Sequence, residues 1–209
     1  MSVPTCVVAG AGHGLGLAVA ERYAREGFAV YALSRITEGL SSTALRLRSR
    51  GLNVAVIDCE PRNSDSVETA IRAIETNGGS CDVLVYNAFV DGTRNPISFG
   101  PRASELADVL ALVRRRVTAM RAKQNGALVF ATYDFPESET KTLREFVHAL
   151  ADEIEPAGIR VGIVIIDGAL PTSAADLASI ADVYWDVFFS AEHQHRRERL
   201  VRTRRPFSA

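Results

Sequence analysis

Short apolar, β-branched runs alternate along the chain with segments whose apolar positions recur every three or four residues. That alternation is the pattern of a parallel sheet wrapped by helices on both faces. The apolar runs predict strands over Thr5–Ala9, Ala29–Leu33, Val54–Ile57, Val83–Tyr86, Ala127–Ala131 and Val161–Ile166. The helix-period segments predict helices over Leu15–Glu26, Leu40–Gly51, Ser64–Asn77, Ala103–Lys123, Lys141–Glu155 and Ser173–Phe189. Gly51 and the Gly78-Gly79 pair stop the second and third helices, because glycine tolerates the left-handed closing conformation. Pro136 and Pro156 punctuate likewise. With no internal repeat, low-complexity linker or break in composition, residues 1–209 read as a single α/β domain, a doubly wound parallel sheet in three α/β/α layers.

Composition agrees with that picture and narrows the partners. A chain of 209 residues, 47% of them hydrophobic, is long enough for one well-buried α/β domain and short for two. Its formal charge of −1 predicts no general attraction to nucleic acid or to anionic membranes. No segment has the apolar length of a membrane span, and Met1-Ser2-Val3-Pro4 lacks the regions of a secretion signal. Cys6, Cys59 and Cys81 are odd in number and lack metal-ligand spacing, so a reduced cytoplasmic compartment with three small buried side chains is expected. His193-x-His195 has no acidic or cysteine partner near in sequence and reads as a solvated tail. The basic run Arg196, Arg197, Arg199, Arg202, Arg204 and Arg205 surrounds Leu200 and Val201, an edge strand with charged gatekeepers as readily as a nucleic-acid contact. Tyr184 and Trp185, inside an apolar helix, are expected in the core or a subunit interface.

The chemistry begins at Gly10-Ala11-Gly12-His13-Gly14-Leu15-Gly16, which follows the first strand and opens the first helix. A strand feeding a tight glycine turn, then a helix whose first N–H groups lack partners, presents backbone donors and a partial positive charge to a pyrophosphate. The run fits G-x-x-x-G-x-G through Gly10, Gly14 and Gly16, and departs from G-x-G-x-x-G. Its context favours a nucleotide cradle over a merely structural turn.

Further segments fall into register with one family. Leu84-Val85-Tyr86-Asn87-Ala88-Phe89 resembles an NNAG segment after a fourth strand, keeping Asn87 and Ala88. Ile159-Arg160-Val161 followed by Asp167-Gly168-Ala169-Leu170-Pro171-Thr172 resembles an IRV strand leading into PGxxxT, with Asp167 in place of proline. With the glycine turn, which matches TGxxxGxG except for Ala9, these segments make the sequence resemble a short-chain dehydrogenase/reductase. The resemblance implies a Rossmann-type fold, a nicotinamide dinucleotide cofactor and a small carbonyl or alcohol substrate.

An NAD-specific site places a carboxylate about twenty residues after the glycine turn, whereas NADP needs a cation there. The second strand ends Leu33-Ser34-Arg35. Arg35 can fork onto a 2′-phosphate and Ser34 can add a hydroxyl, so NADP(H) is the expected cofactor, the alternative being a solvated loop cation. His13 stands where NADP-using relatives often carry a basic residue. The resemblance assigns Gly10, Gly12, Gly14, Leu15 and Gly16 to the phosphates, Asp58 to the adenine amino group, Asn87 and Ala88 to the adenosine ribose, and Gly168 and Thr172 to the nicotinamide end. Asp58 could equally cap the following turn, and Thr172 could cap the following helix.

In the family a Ser, a Tyr and a Lys act together: the tyrosine exchanges a proton with the substrate oxygen, the lysine lowers its pKa and holds the ribose, and the serine orients the carbonyl. Lys141 aligns with that lysine. Four residues earlier stands Glu137 in place of tyrosine, and the serine position falls on Thr132 or Tyr133. Glu105 stands in the place of the helical asparagine. The catalytic candidates are therefore Lys141, Tyr133 and Thr132. The stretch from Ser173 to Ile180 is too short for the family's substrate lid, and an open site weakens the electrostatics of hydride transfer. Two functions follow: an NADP-dependent oxidoreductase with an atypical site, or a catalytically impaired NADP(H)-binding module that senses or scaffolds. Relatives pair the helices corresponding to Ala103–Lys123 and Lys141–Glu155, which implies a homodimer or homotetramer.

Overall fold

A computed structural model describes residues 3–12, 14–35, 39–60, 63–77, 79–87, 113–114, 116–133, 137–189 and 197–203. In chain order these form β1 (Thr5–Ala9), α1 (Leu15–Arg25), β2 (Ala29–Ser34), α2 (Leu40–Ser49), β3 (Val54–Asp58), α3 (Ser64–Thr76), β4 (Val83–Tyr86), β5 (Gly126–Tyr133), α4 (Glu137–Ile154), β6 (Ile159–Asp167), α5 (Ala174–Phe189) and β7 (Glu198–Arg202). The helix expected over Ala103–Lys123 is helical over 113–114 and 116–123, and residues 103–112 and 115 lie outside the described residues.

The strands form one sheet in the order β3-β2-β1-β4-β5-β6-β7, every neighbouring pair parallel. The chain runs outward from β1 to β3, then returns to β4 and continues in the opposite direction. Order therefore reverses between β1 and β4, and the crevice outside the carboxyl ends of these strands is where such sheets bind ligands.

Period-two alternation sorts the strand residues onto two faces. Val8, Val30, Val85 and Val129 meet Val19, Tyr23 and Ala181 on the face covered by α1, α2 and α5. Val7, Leu84, Leu128 and Ile163 meet Ile71, Met120, Leu143 and Val147 on the other. Burial on both sides explains why the strands read as continuous apolar runs rather than alternating ones.

Several boundaries differ from the sequence expectation. α4 begins at Glu137, so Lys141 lies one turn inside the helix instead of at its start. β5 and β6 run on to Tyr133 and Asp167, because parallel pairing continues through Tyr133↔Ile166. The basic C-terminal run supplies a seventh strand. Within it Glu198 accepts from Arg144 at 2.6 Å, while Arg197 donates to Asp152 at 2.7 Å and Glu155 at 2.6 Å, so these charges fasten the edge strand and its approach to α4. Tyr184 is fully buried in the core, as one reading expected, and the half-buried Trp185 stacks on Phe189 with ring centroids 4.1 Å apart. All three cysteines are buried free thiols.

Candidate cofactor cleft and active site

The glycine turn is built at the switch point by backbone contacts. Gly10 has φ +84°, and both its N–H and that of Ala11 donate to the Leu33 carbonyl at 3.0 Å, clamping the turn to the tip of β2. No side chain caps α1. A Cβ on Gly16 would stand 2.5 Å from the Gly10 carbonyl oxygen and 2.7 Å from Ala11 Cα, so the helix packs directly on the turn's backbone. Gly12 and Gly14 differ: a Cβ on either meets nothing within 4 Å. One glycine thus permits helix–turn packing, while the other two leave an open face beside a helix start without a side-chain cap, where the Leu17 N–H donates to the Gly12 carbonyl at 3.2 Å. That combination fits a pyrophosphate, which needs close backbone approach and N–H donors. Leu15 is buried, so it offers a ligand only its backbone. His13 lies outside the described residues.

Asn87 forms the floor where β4 ends. Its N–H donates to the Ala9 carbonyl at 2.8 Å and its Nδ2 to the Gly10 carbonyl at 3.4 Å. Its Oδ1 accepts from the Tyr184 hydroxyl at 2.7 Å. Sequence reasoning placed Asn87 here but missed Tyr184, which reaches it from 97 positions away. Ala88 lies outside the described residues.

At the β2 tip, Ser34 is buried and pairs in register with Asp58, the exposed last residue of β3. The register sets the two strand exits side by side, and Arg35 Nε comes within 3.4 Å of Glu60 Oε2. Arg35 therefore shares the strand tips with a carboxylate that the reading of the second strand alone did not include. The missed signal was a carboxylate two positions beyond the third strand's exit. α3 is capped by Asn63, whose Oδ1 accepts from the N–H groups of Asp65 and Ser66, each at 3.0 Å.

At the other end of the cleft, Thr132 is buried in β5 opposite Ile165, and Tyr133 closes the strand. Thr140, unremarked in the sequence, is also a buried polar side chain, one residue before Lys141. The Lys141 side chain is 73% exposed, its Nζ 3.9 Å from Glu145 Oε1 on the next turn. Topology thus brings the ends of β5 and β6 and the first turns of α4 to one edge of the sheet.

β6 leaves through Asp167-Gly168. The Asp167 carbonyl accepts from Thr203 N–H at 2.9 Å, and a Cβ on Gly168, at φ +111°, would stand 2.5 Å from Thr203 Oγ1. Thr172 is exposed and does not cap α5. Ser173 does, accepting from Asp176 N–H at 3.1 Å and donating to its Oδ2 at 2.7 Å. Between this loop, the first turns of α5 and the end of β7 lies a cavity of about 450 Å³, lined by residues including Leu170, Thr172, Ser179, Ile180 and Arg202. Packing of α5 and β7 therefore makes a concave wall beside Thr172 where the sequence, lacking a lid, predicted only an open site.

Among the described residues no helix is long and apolar enough to cross a membrane, and no group of three or more His, Cys, Asp or Glu could hold a metal ion.

A doubly wound parallel sheet with an open glycine turn at its switch point defines the Rossmann class of dinucleotide-binding folds. Within that class, a family model described as short chain dehydrogenase matches residues 4–132, more than half of the chain, and the chain belongs to that family. It is 33% identical over 94 residues to the short-chain reductase protein NovJ of Streptomyces niveus, covering 45% of this chain and 36% of that protein. The chain spans 36–38% of the length of the curated relatives it matches first. Its fold superposes on a short-chain dehydrogenase from Rhodopseudomonas palustris with a TM-score of 0.77 at 23% identity, covering 96% of this chain and 99% of that one. A metagenomic short-chain oxidoreductase solved in complex with NADP gives a TM-score of 0.70 at 20% identity, covering 95% and 96%.

Proposed function

We propose that this chain is an NADP(H)-dependent oxidoreductase that interconverts a small carbonyl compound and its alcohol through an atypical active site. The observation that carries the proposal is the glycine turn at the β1/β4 switch point, open at Gly12 and Gly14 beside a helix start without a side-chain cap. Its backbone and Leu15 N–H receive the pyrophosphate. Ser34 and Arg35 meet the 2′-phosphate, Asp58 the adenine, Asn87 and Ala88 the adenosine ribose, and Gly168 and Thr172 the carboxamide. Bound NADPH supplies the hydride that reduces the substrate carbon. The chain's task is to deliver a proton to the substrate oxygen as the alkoxide forms.

Glu137 is a poor acid for this step, since a carboxyl group with an ordinary pKa is ionised at neutral pH. Tyr133, ending β5 at the cleft, is the proposed donor; Thr132 orients the carbonyl and Lys141 holds the nicotinamide ribose. Resemblance to a reductase and to an NADP-bound fold relative supports this reading. The proposed assembly is a cytoplasmic homodimer or homotetramer.

A specific observation favours a second reading, an NADP(H)-binding module without turnover. α4 contains no tyrosine, and the Lys141 ammonium lies toward Glu145. Assay of NADPH oxidation with a panel of aldehydes and ketones separates the two. The oxidoreductase reading expects slow turnover in the wild type, largely lost in Tyr133→Phe with NADPH binding retained. No turnover by a wild type that binds NADPH supports the module, and full activity in Tyr133→Phe excludes this tyrosine as the acid.

A further inference from the structure

We propose that Tyr184 is a positioning residue for the nucleotide turn, acting through Asn87. This rests on the reading of Gly10–Gly16 as a dinucleotide cradle and adds a distant residue to it.

The hydrogen-bond chemistry has a fixed direction. The Gly10 carbonyl can only accept, so the Asn87 amide must turn Nδ2 toward it, and the two stand 3.4 Å apart. Oδ1 then faces Tyr184, and the phenol, at 2.7 Å, must donate. The accept-only Gly10 carbonyl fixes the amide orientation, and the Tyr184 hydroxyl, donating to Oδ1, holds Asn87 in it against the first glycine of the turn. The opposite flip would set the amide oxygen against the Gly10 carbonyl and the NH₂ group toward the phenol.

Tyr184 is itself held. It is fully buried, and its backbone carbonyl accepts from the Tyr23 hydroxyl at 3.3 Å, linking α5 to the helix that the glycine turn opens. The resulting path runs from α1 through α5 and the β4 exit to Gly10. Gly10 in turn carries the φ of +84° and the donor bond to Leu33 that shape the cradle. A buried hydrogen-bonded link of this kind orders the turn before a ligand arrives, which lowers the entropic cost of binding.

The test is a double-mutant cycle read by calorimetric titration of NADPH, with urea unfolding run on each variant. Tyr184→Phe keeps the ring and removes only the hydroxyl. It is expected to weaken NADPH binding about tenfold, the scale of one lost buried hydrogen bond. In an Asn87→Ala background the same substitution is expected to change affinity by less than about twofold, because the residue through which it acts is gone. A merely structural tyrosine would lower the urea midpoint equally in both backgrounds and leave NADPH affinity unchanged, which overturns the proposal. Equal affinity losses in both backgrounds overturn it too. If Tyr184→Phe does not fold, Asn87→Asp serves instead. It keeps an acceptor for the phenol and removes the donor to Gly10; unchanged affinity there overturns the link. Failure of the wild type to bind any nicotinamide dinucleotide overturns the cradle reading, and this inference with it.

Discussion

Arg35 Nε lies 3.4 Å from Glu60 Oε2, joining the exits of β2 and β3 through an ion pair whose partners are both partly exposed. The guanidinium that would receive a 2′-phosphate is thus already engaged by a carboxylate, and that carboxylate would repel the phosphate. The proposed NADP preference at this tip rests on a competition between that carboxylate and the 2′-phosphate for Arg35.

Glu60→Gln is therefore expected to raise NADP(H) affinity. An exposed pair is worth up to about 1 kcal/mol, so the gain is roughly two- to fivefold and shrinks with added salt. Arg35→Ala should instead remove the preference for the 2′-phosphate. Calorimetric titration of NADPH and NADH on each variant reads the ratio; an unchanged ratio in both would place cofactor selection elsewhere.

Gly16 and Gly12 should separate packing from binding. In Gly16→Ala the new methyl meets backbone at 2.5 Å and 2.7 Å, so stability should fall by about 1–3 kcal/mol in urea unfolding. Gly12→Ala adds a methyl to open space. It should leave the unfolding midpoint nearly unchanged and still weaken NADPH binding, because the methyl occupies the approach path of the phosphates. Undiminished affinity in Gly12→Ala would move the pyrophosphate off this face.

Lys141→Ala should leave the fold intact, since its side chain is 73% exposed and an exposed substitution of this kind changes stability by about 0.5 kcal/mol or less. NADPH affinity should nevertheless fall, by several-fold, if the ammonium reaches the nicotinamide ribose when cofactor is bound. Retained affinity in the folded variant would show that the helix start has been misaligned with its relatives.

The thiols give a pH signature. Burial pushes Cys6 up, Cys59 to about 11 and Cys81 to about 12. Unfolded cysteine titrates at about 8.5, so above that value the unfolded chain releases protons that the folded chain retains. The thiol contribution to stability is therefore fully present below about pH 8.5 and is lost as pH rises toward 11–12. Thiolate absorbance at pH 9.5 should be small for native protein and should appear on denaturation; strong native absorbance would contradict the burial.

Much was written locally. Every strand predicted from an apolar run forms, because strands covered on both faces must be apolar throughout, and periodicity reports that directly. The glycine turn was legible for a similar reason: the residues that make it are contiguous, and their backbone freedom is a property of each glycine alone. Even the C-terminal strand was visible as Leu200 and Val201 between charges. Its anchoring came from Arg197 and Glu198 pairing with Arg144 and Asp152 on α4 and with Glu155 just beyond it.

What tertiary structure decided are the pairings between residues far apart in sequence. Nothing local to Arg35 announces Glu60; parallel register of β2 on β3 sets them side by side. Nothing local to Asn87 announces Tyr184, which is placed there by packing of α5 across the sheet. The capping choices at Asn63 and Ser173 likewise depended on backbone direction at each helix entry. Composition and spacing determine which elements form and where a phosphate can approach, since those depend on burial and backbone freedom summed along the chain. Which charge answers Arg35, and which hydroxyl holds the Asn87 amide, depend on short-range interactions acting over about 3 Å, and only the folded sheet brings those groups within reach.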